Sequence, residues 1–168
     1  MNPAAGNGPG LPAYVGIGAN LGDARASVAA AQRALAALPE SRLVGLSSVY
    51  RSAPIDATGP DFYNAVVWLQ TRLAAPALLA ALQGIEQAFG RERPYRHAPR
   101  TLDLDLLLLG DQVWQTATLT LPHPRLHQRA FVLLPLLELN PGLALAGLGA
   151  LATWLPACTD QAIERLPR

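Results

Sequence analysis

Residues 99–111, PRTLDLDLLLLGD, leave this chain little freedom in what it folds into. Polar and apolar side chains alternate from Thr101 to Leu106, the period of a half-buried strand. That period puts Arg100, Leu102, Leu104 and Leu106 on one side and Thr101, Asp103, Asp105 and Leu107 on the other. Two carboxylates then share a face with Cα atoms about 6.5 to 7 Å apart, and like charges that close are costly unless a cation lies between them. A solvated sheet face with ordinary surface acids gives the same pattern. The preceding segment, GRERPYRHAPR, favours the cation, because it carries Arg91, Arg93, Arg96 and Arg100. Oxygen ligands for a hard dication beside clustered guanidinium groups suit a polyphosphate bridged by Mg²⁺.

The segments before this strand give its context. Residues 1–12, rich in Gly, Pro and Asn, read as a mobile tail, and the fold is expected to begin at Ala13 and to run as one domain over 13–168. A strand is expected over 14–19 (YVGIGA), with glycines that signal close backbone approach or packing beneath a helix. Val28, Ala31, Leu35 and Leu38 repeat at helical spacing, with Asp23 placed to cap and Pro39 to stop the helix. Residues 42–51 and 62–71 read as two more strands joined by a loop long enough to cover a ligand. Phe62, Asn64, Val66 and Trp68 share a face of the second, where an amide calls for a partner. A second helix over 76–90 buries Leu78, Leu82, Ile85 and Phe89 and turns Glu86 inward, for which the arginine cluster is the expected partner.

Strand, helix, strand, strand, helix, strand is the order of the ferredoxin-like βαββαβ unit. The expected fold class is therefore α+β: an antiparallel four-stranded sheet with helices on one face, plus C-terminal additions. The additions are a short hairpin within 113–121, a polar loop over 122–128, an apolar helix over 129–139 containing Pro135, and a short terminal helix near 148–154.

Composition narrows the function classes. With 168 residues, 51% of them hydrophobic, the chain can bury a full core. A net charge of +1 gives no global attraction for nucleic acid, and no apolar run is long enough to span a membrane. No targeting segment is evident, so a cytoplasmic location is expected. Cys158 is the only cysteine, expected to be a buried or idle thiol. All 13 basic residues are arginine, which excludes a lysine Schiff base and a Walker A lysine.

With those residues in place, the chain resembles the 6-hydroxymethyl-7,8-dihydropterin pyrophosphokinases of folate synthesis over about 13–139. The matching blocks are YVGIGANLGD, SVYRSAPID with GPDFYNAV, IEQAFGRER, PRTLDLDLLLLGD and LPHPRLHQRAFVLLPL. The resemblance implies transfer of the β,γ-pyrophosphate of ATP to the pterin hydroxymethyl oxygen, with AMP released. It implies Asp103 and Asp105 as ligands of two Mg²⁺ ions, and Arg91 and Arg100 as catalytic arginines. Arg93, Arg96, Gln83, His123 and Arg129 are implied as further ATP contacts. Phe131 and Phe62 would face the pterin ring from opposite sides, Asn64 would bond its edge, and Ser52, Ala53 and Ile55 would supply surrounding contacts. A monomer acting on small molecules is expected.

The chain departs from the family pattern at His97, where tryptophan is common, at Ala98 in place of glycine, at Pro124 after the LPH histidine, and at Thr118, where some members have arginine. The arginine-rich segment 91–99 reads as a lid, because its positive charges repel one another until an anion arrives. Two rivals remain at the level of residues: an RNA-binding module on the same split unit, which needs exposed aromatics on a basic sheet, and a Mg²⁺-dependent phosphohydrolase.

Overall fold

A computed structural model describes residues 9–54, 59–90 and 102–168. The elements run β1 (Leu11–Ala19), α1 (Ala24–Ala36), β2 (Ser41–Leu46), β3 (Tyr50–Ser52), β4 (Phe62–Thr71), α2 (Ala75–Gly90), β5 (Asp103–Leu109), β6 (Trp114–Gln115), β7 (Thr120–Leu121), α3 (Ala130–Leu139), β8 (Ala144–Leu145) and β9 (Gly149–Ala150). A 3₁₀ helix (Leu151–Cys158) and β10 (Ile163–Arg165) follow. Asp23 caps α1, its carboxylate accepting from the Ala26 N–H at 3.1 Å. β1 starts at Leu11, two residues before the expected boundary, because Leu11 and Pro12 pair with Thr71 and Gln70.

The main sheet runs β10-β3-β4-β1-β5, with β2 also paired to β4 and every pairing antiparallel. Its centre is the expected ferredoxin-like order. The single strand expected over 42–51 is split, because the chain bends at Ser47. There the Ser47 N–H donates to the Val66 carbonyl and its Oγ accepts from the Val66 N–H. β2 and β3 therefore pair with successive halves of β4.

Strand alternation gives the sheet two differently used faces. Ala13, Val15 and Ile17 of β1, Ala65, Val67 and Leu69 of β4, and Leu104 and Leu106 of β5 pack with Val28, Leu35, Leu78 and Leu82 of the first two helices in one core. Removing a fully buried leucine such as Leu35 would cost about 2–5 kcal/mol. The opposite face is not bare, as the expectation of helices on one side had it. Tyr14, Val66, Leu107 and Leu108 form a second core with Leu133 and Leu136 of α3 and Leu151 of the 3₁₀ helix. A bulge between Tyr14 and Val15 in the β1–β5 register lets both Leu107 and Leu108 join that core. An RNA-binding module of this split unit needs the centre of this face bare, and here α3 and the 3₁₀ helix cover it around Tyr14, Val66 and Leu107.

Beyond Asn140 the sequence suggested only a turn and a short helix. The structure adds the β8–β9 hairpin, a longer 3₁₀ helix and β10, which extends the sheet beyond β3. These strands are two or three residues long, too short to show a period. Glu138, with 13% of its side chain exposed, ties the C-terminal segment to the bend: it accepts from the Ser48 N–H and Oγ–H, the Tyr50 hydroxyl, Arg165 and Arg168. Burial and this carboxylate push the Tyr50 phenol up to about 12. Cys158 is buried, which raises its thiol pKa.

Candidate active site

One row of residues crosses three strands on the second face. Gly18 pairs with Asp103 on one side and with Asn64 on the other. Gly16 likewise lies between Asp105 and Val66. Of the two glycines, Gly18 leaves an open floor between Asp103 of β5 and the amide of β4, while the Leu107 side chain lies over Gly16, 3.5 Å from where a Cβ would stand. The glycines do not lie under α1 or α2, one of the two readings their presence in the strand allowed. Among the described residues, a Cβ on Gly18 would meet only the Asn64 Oδ1, at 3.6 Å. The Asn64 carbonyl is therefore turned over this floor.

Asn64 is buried and has the partners that an amide in a strand required. Its Nδ2 donates to the Ser52 Oγ at 2.8 Å and to the Tyr50 carbonyl at 3.3 Å. With both donors directed to β3, the amide is locked with Oδ1 outward, an acceptor for an N–H edge of a ligand. Phe62 precedes it by two residues on the same face and pairs with Ser52. Ser52, Ala53, Ala130, Phe131, Gln161 and Ala162 are among the residues lining a cavity of about 300 Å³ between the end of β3, the start of α3 and the C-terminal turn.

Asp103 and Asp105 are exposed on the same side of β5, and Leu102, Leu104 and Leu106 are buried, as the alternation requires. The described residues hold no group of three or more His, Cys, Asp or Glu side chains placed to bind a metal. Two carboxylates alone leave most of an octahedral shell to water and phosphate oxygens. That donor set fits Mg²⁺ carried by a nucleotide better than a permanently held structural ion.

His123 borders Asp105. Its backbone N–H donates to the Leu107 carbonyl at 2.9 Å, which fastens the turn to β5 two residues beyond the second aspartate. Burial lowers the pKa of its imidazole, Arg129 and Arg125 lower it further, and Asp105 opposes them. The neutral ring accepts from the Arg125 N–H at Nδ1, so Nε2 carries the proton and is a donor. Arg129 stands at the N-cap of α3 with its guanidinium carbon 5.6 Å from the centre of the Phe131 ring. The turn after β7 and the start of α3 thus bring His123, Arg129 and Phe131 to the side of the sheet that bears the aspartates.

Gln83 lines a separate hollow of about 200 Å³ between α2 and the β6–β7 hairpin, together with Thr116 and Thr118. Glu86 accepts from the Leu104 N–H at 3.1 Å and so helps fix the start of β5. Arg91, Arg93, Arg96 and Arg100, the lid that carries them, Ile55, and the departures at His97 and Ala98 lie outside the described residues.

Three comparisons with known proteins show what the chain is similar to. Residues 14–141 match the family model described as 7,8-dihydro-6-hydroxymethylpterin-pyrophosphokinase (HPPK). A 2-amino-4-hydroxy-6-hydroxymethyldihydropteridine pyrophosphokinase of Pseudomonas aeruginosa is 47% identical over 155 residues, covering 92% of this chain and 96% of the relative. One from Haemophilus influenzae is 41% identical over 136 residues, covering 80% and 85%. Among solved structures, an HPPK-DHPS in complex with substrates superposes with a TM-score of 0.72 at 12% identity, over 89% of this chain and 43% of that one. A Plasmodium falciparum HPPK-DHPS with SDX-DHP gives 0.70 at 12% identity, over 90% and 45%. At such identities the structural likeness speaks to the fold alone, and this chain spans less than half the length of either of those chains.

Proposed function

The chain belongs to the 7,8-dihydro-6-hydroxymethylpterin-pyrophosphokinase family, and from that premise we propose how its residues divide the work of moving pyrophosphate onto 6-hydroxymethyl-7,8-dihydropterin in folate biosynthesis. ATP is the donor. The pterin hydroxymethyl oxygen attacks the β-phosphorus, the bond from that phosphorus to the α,β-bridging oxygen breaks, AMP leaves, and the hydroxyl proton is released. The pterin occupies the cavity beside Ser52 and Ala53, stacked by Phe131 and bordered by Phe62, with its N–H edge donating to the outward Asn64 Oδ1. Ile55, by the family resemblance, is proposed as a further pterin contact.

The triphosphate lies over the Gly18 floor towards β5. Asp103 and Asp105 would hold two Mg²⁺ ions, which would offset charge on the phosphate oxygens. His123 donates from Nε2 to a phosphate oxygen, and Arg129 supplies a second cationic contact. Arg91 and Arg100 stabilise the charge of the transferring group, Arg93 and Arg96 bind the phosphates, and Gln83 contacts the nucleotide from its own hollow. No residue need act as a general base where the transition state is loose. The protein acts as a cytoplasmic monomer on small molecules. Among its described residues, no helix is long and apolar enough to cross a membrane.

The observation that carries this assignment is the row Asp103–Gly18–Asn64, a metal-binding carboxylate and a pterin-reading amide on either side of an open floor. A phosphohydrolase has no use for the amide and the aromatic. Incubation with ATP, Mg²⁺ and the hydroxymethyl pterin should yield AMP and the pterin diphosphate in equal amounts by phosphorus NMR. ADP or free phosphate as the main product would refute the assignment.

A further inference from the structure

Helix α3 begins with a defect that a distant residue repairs. Its N-cap, Arg129, makes no side-chain capping bond; its carbonyl accepts from Val132 and Leu133, but that leaves the first amide, Ala130, to find an acceptor elsewhere. The Ala130 N–H donates instead to the Gln161 Oε1, at 2.9 Å. The same side chain donates from Nε2 to the Gln128 carbonyl, at 2.8 Å. One amide therefore grips the backbone on both sides of Arg129, the carbonyl before it and the N–H after it. Its own turn is held by the Gln161 N–H donating to the Cys158 carbonyl.

What this grip fixes is more than a helix end. Arg129 and Phe131 are the two residues of α3 assigned above to phosphate and pterin, and both hang from the clamped backbone. On the other side of the cavity, the next residue, Ala162, accepts at its carbonyl from the Ala53 N–H. Residues 161 and 162 thus tie the start of α3, through a side chain, and the end of β3, through the backbone, across the cavity that both line.

We propose that Gln161 is a positioning residue of the acceptor pocket: by clamping the peptide groups on both sides of Arg129, it sets the placement of Phe131 against the pterin and of Arg129 against the phosphate. The role rests on the pterin assignment above. It predicts that Gln161 acts through the backbone of α3 and touches the course of the reaction only by way of those two side chains.

The test compares Gln161→Leu, Gln161→Glu and Thr159→Ala with the wild type. Thr159 bonds only within its own turn, its hydroxyl donating to the Pro156 carbonyl, so Thr159→Ala controls for general loosening of the turn. Pterin dissociation constants are measured by fluorescence on the folded proteins, with Mg²⁺ and a nonhydrolysable ATP analogue, alongside KM and kcat. Gln161→Leu loses both bonds and should weaken pterin binding about fivefold to thirtyfold, the range expected for a lost cap and hydrogen bond. KM for the pterin should rise more than kcat falls. Gln161→Glu keeps an acceptor at the helix N-terminus and should regain part of the affinity; it also carries the test if the leucine variant does not fold. Thr159→Ala should leave affinity unchanged. Wild-type pterin affinity in both Gln161 variants, or an equal loss in Thr159→Ala, would overturn the role. Failure of the wild type itself to bind the pterin would instead overturn the assignment on which it rests.

Discussion

Replacing Gly18 with alanine separates the two demands placed on the site, because it should help the fold and harm the reaction. Gly18 lies in a regular antiparallel strand between two partners, so alanine is conformationally acceptable there. The added methyl would sit 3.6 Å from the Asn64 Oδ1, an ordinary van der Waals distance, with nothing else among the described residues within 4 Å. Glycine in a strand interior is worse than alanine by about 0.5–1 kcal/mol, mainly through the entropy of the unfolded chain. For a domain of this size that corresponds to a melting temperature raised by about 1–4 °C. The same methyl stands on the floor between Asp103 and Asn64, where the pterin and the phosphates must meet. Misplacing reacting groups by about 1 Å costs up to about a hundredfold in rate, so kcat/KM should fall tenfold to a hundredfold. Calorimetry and a coupled AMP assay on one preparation would measure both. Wild-type turnover would show that the reaction does not occur over Gly18, and a melting temperature lowered by several degrees would show that the methyl does not fit.

Three further expectations follow from the geometry. Asp103→Asn and Asp105→Asn should each reduce turnover by about a hundredfold; wild-type turnover in either variant would refute the metal role. Phe131→Ala should weaken pterin binding by about 1–3 kcal/mol with little change for ATP by calorimetric titration, whereas an equal loss for both ligands would indicate a packing defect. The Glu138 carboxyl sits in the fold below its ordinary value of 4.5: burial alone would raise it, but hydrogen bonds from Ser48, Tyr50 and Arg168 outweigh that. Its folded form therefore binds protons less readily than the unfolded chain, and its stabilisation is complete above pH 4.5 and lost as pH falls through the folded value. The stability difference between wild type and Glu138→Gln should shrink below that pH, and a difference independent of pH would refute the assignment.

The helices, the central strands and the aspartate pair were legible in the sequence because each rests on a pattern within a dozen residues. Alternation placed Phe62, Asn64 and Val66 on one face, and the Asp23 cap and the helical spacing of Val28, Ala31 and Leu35 placed α1. Asn64 announced a partner by being an amide in a strand, although only the fold shows that the partner is Ser52. Gly16 and Gly18 were visible as glycines, but which face Gly18 opened depended on the register with β5. The second covered face was missed because α3 is apolar on nearly all sides and does not say what it packs on. Gln161 had no signal at all, since its two bonds reach backbone groups 31 and 33 positions away and a glutamine in a turn looks like any other.

The tie between the C-terminal strand and the Ser47–Tyr50 bend has a kinetic side. Ser48 and Arg165 are 117 positions apart, and closing a flexible loop of that length costs about 4 kcal/mol in its length-dependent entropy alone. Three residues of β10 pairing and partly exposed arginine bonds to Glu138 do not offset that until the sheet between them has formed and shortened the effective loop. Docking of β10 is accordingly among the last events of folding, and its release among the first openings of the native protein. Since Ala162 and Gln161 precede it directly, one wall of the acceptor cavity can detach with the first core intact and only Ile163 withdrawn from the edge of the second. Amide exchange at Ile163–Arg165 should therefore follow a local opening, well below the free energy of global unfolding.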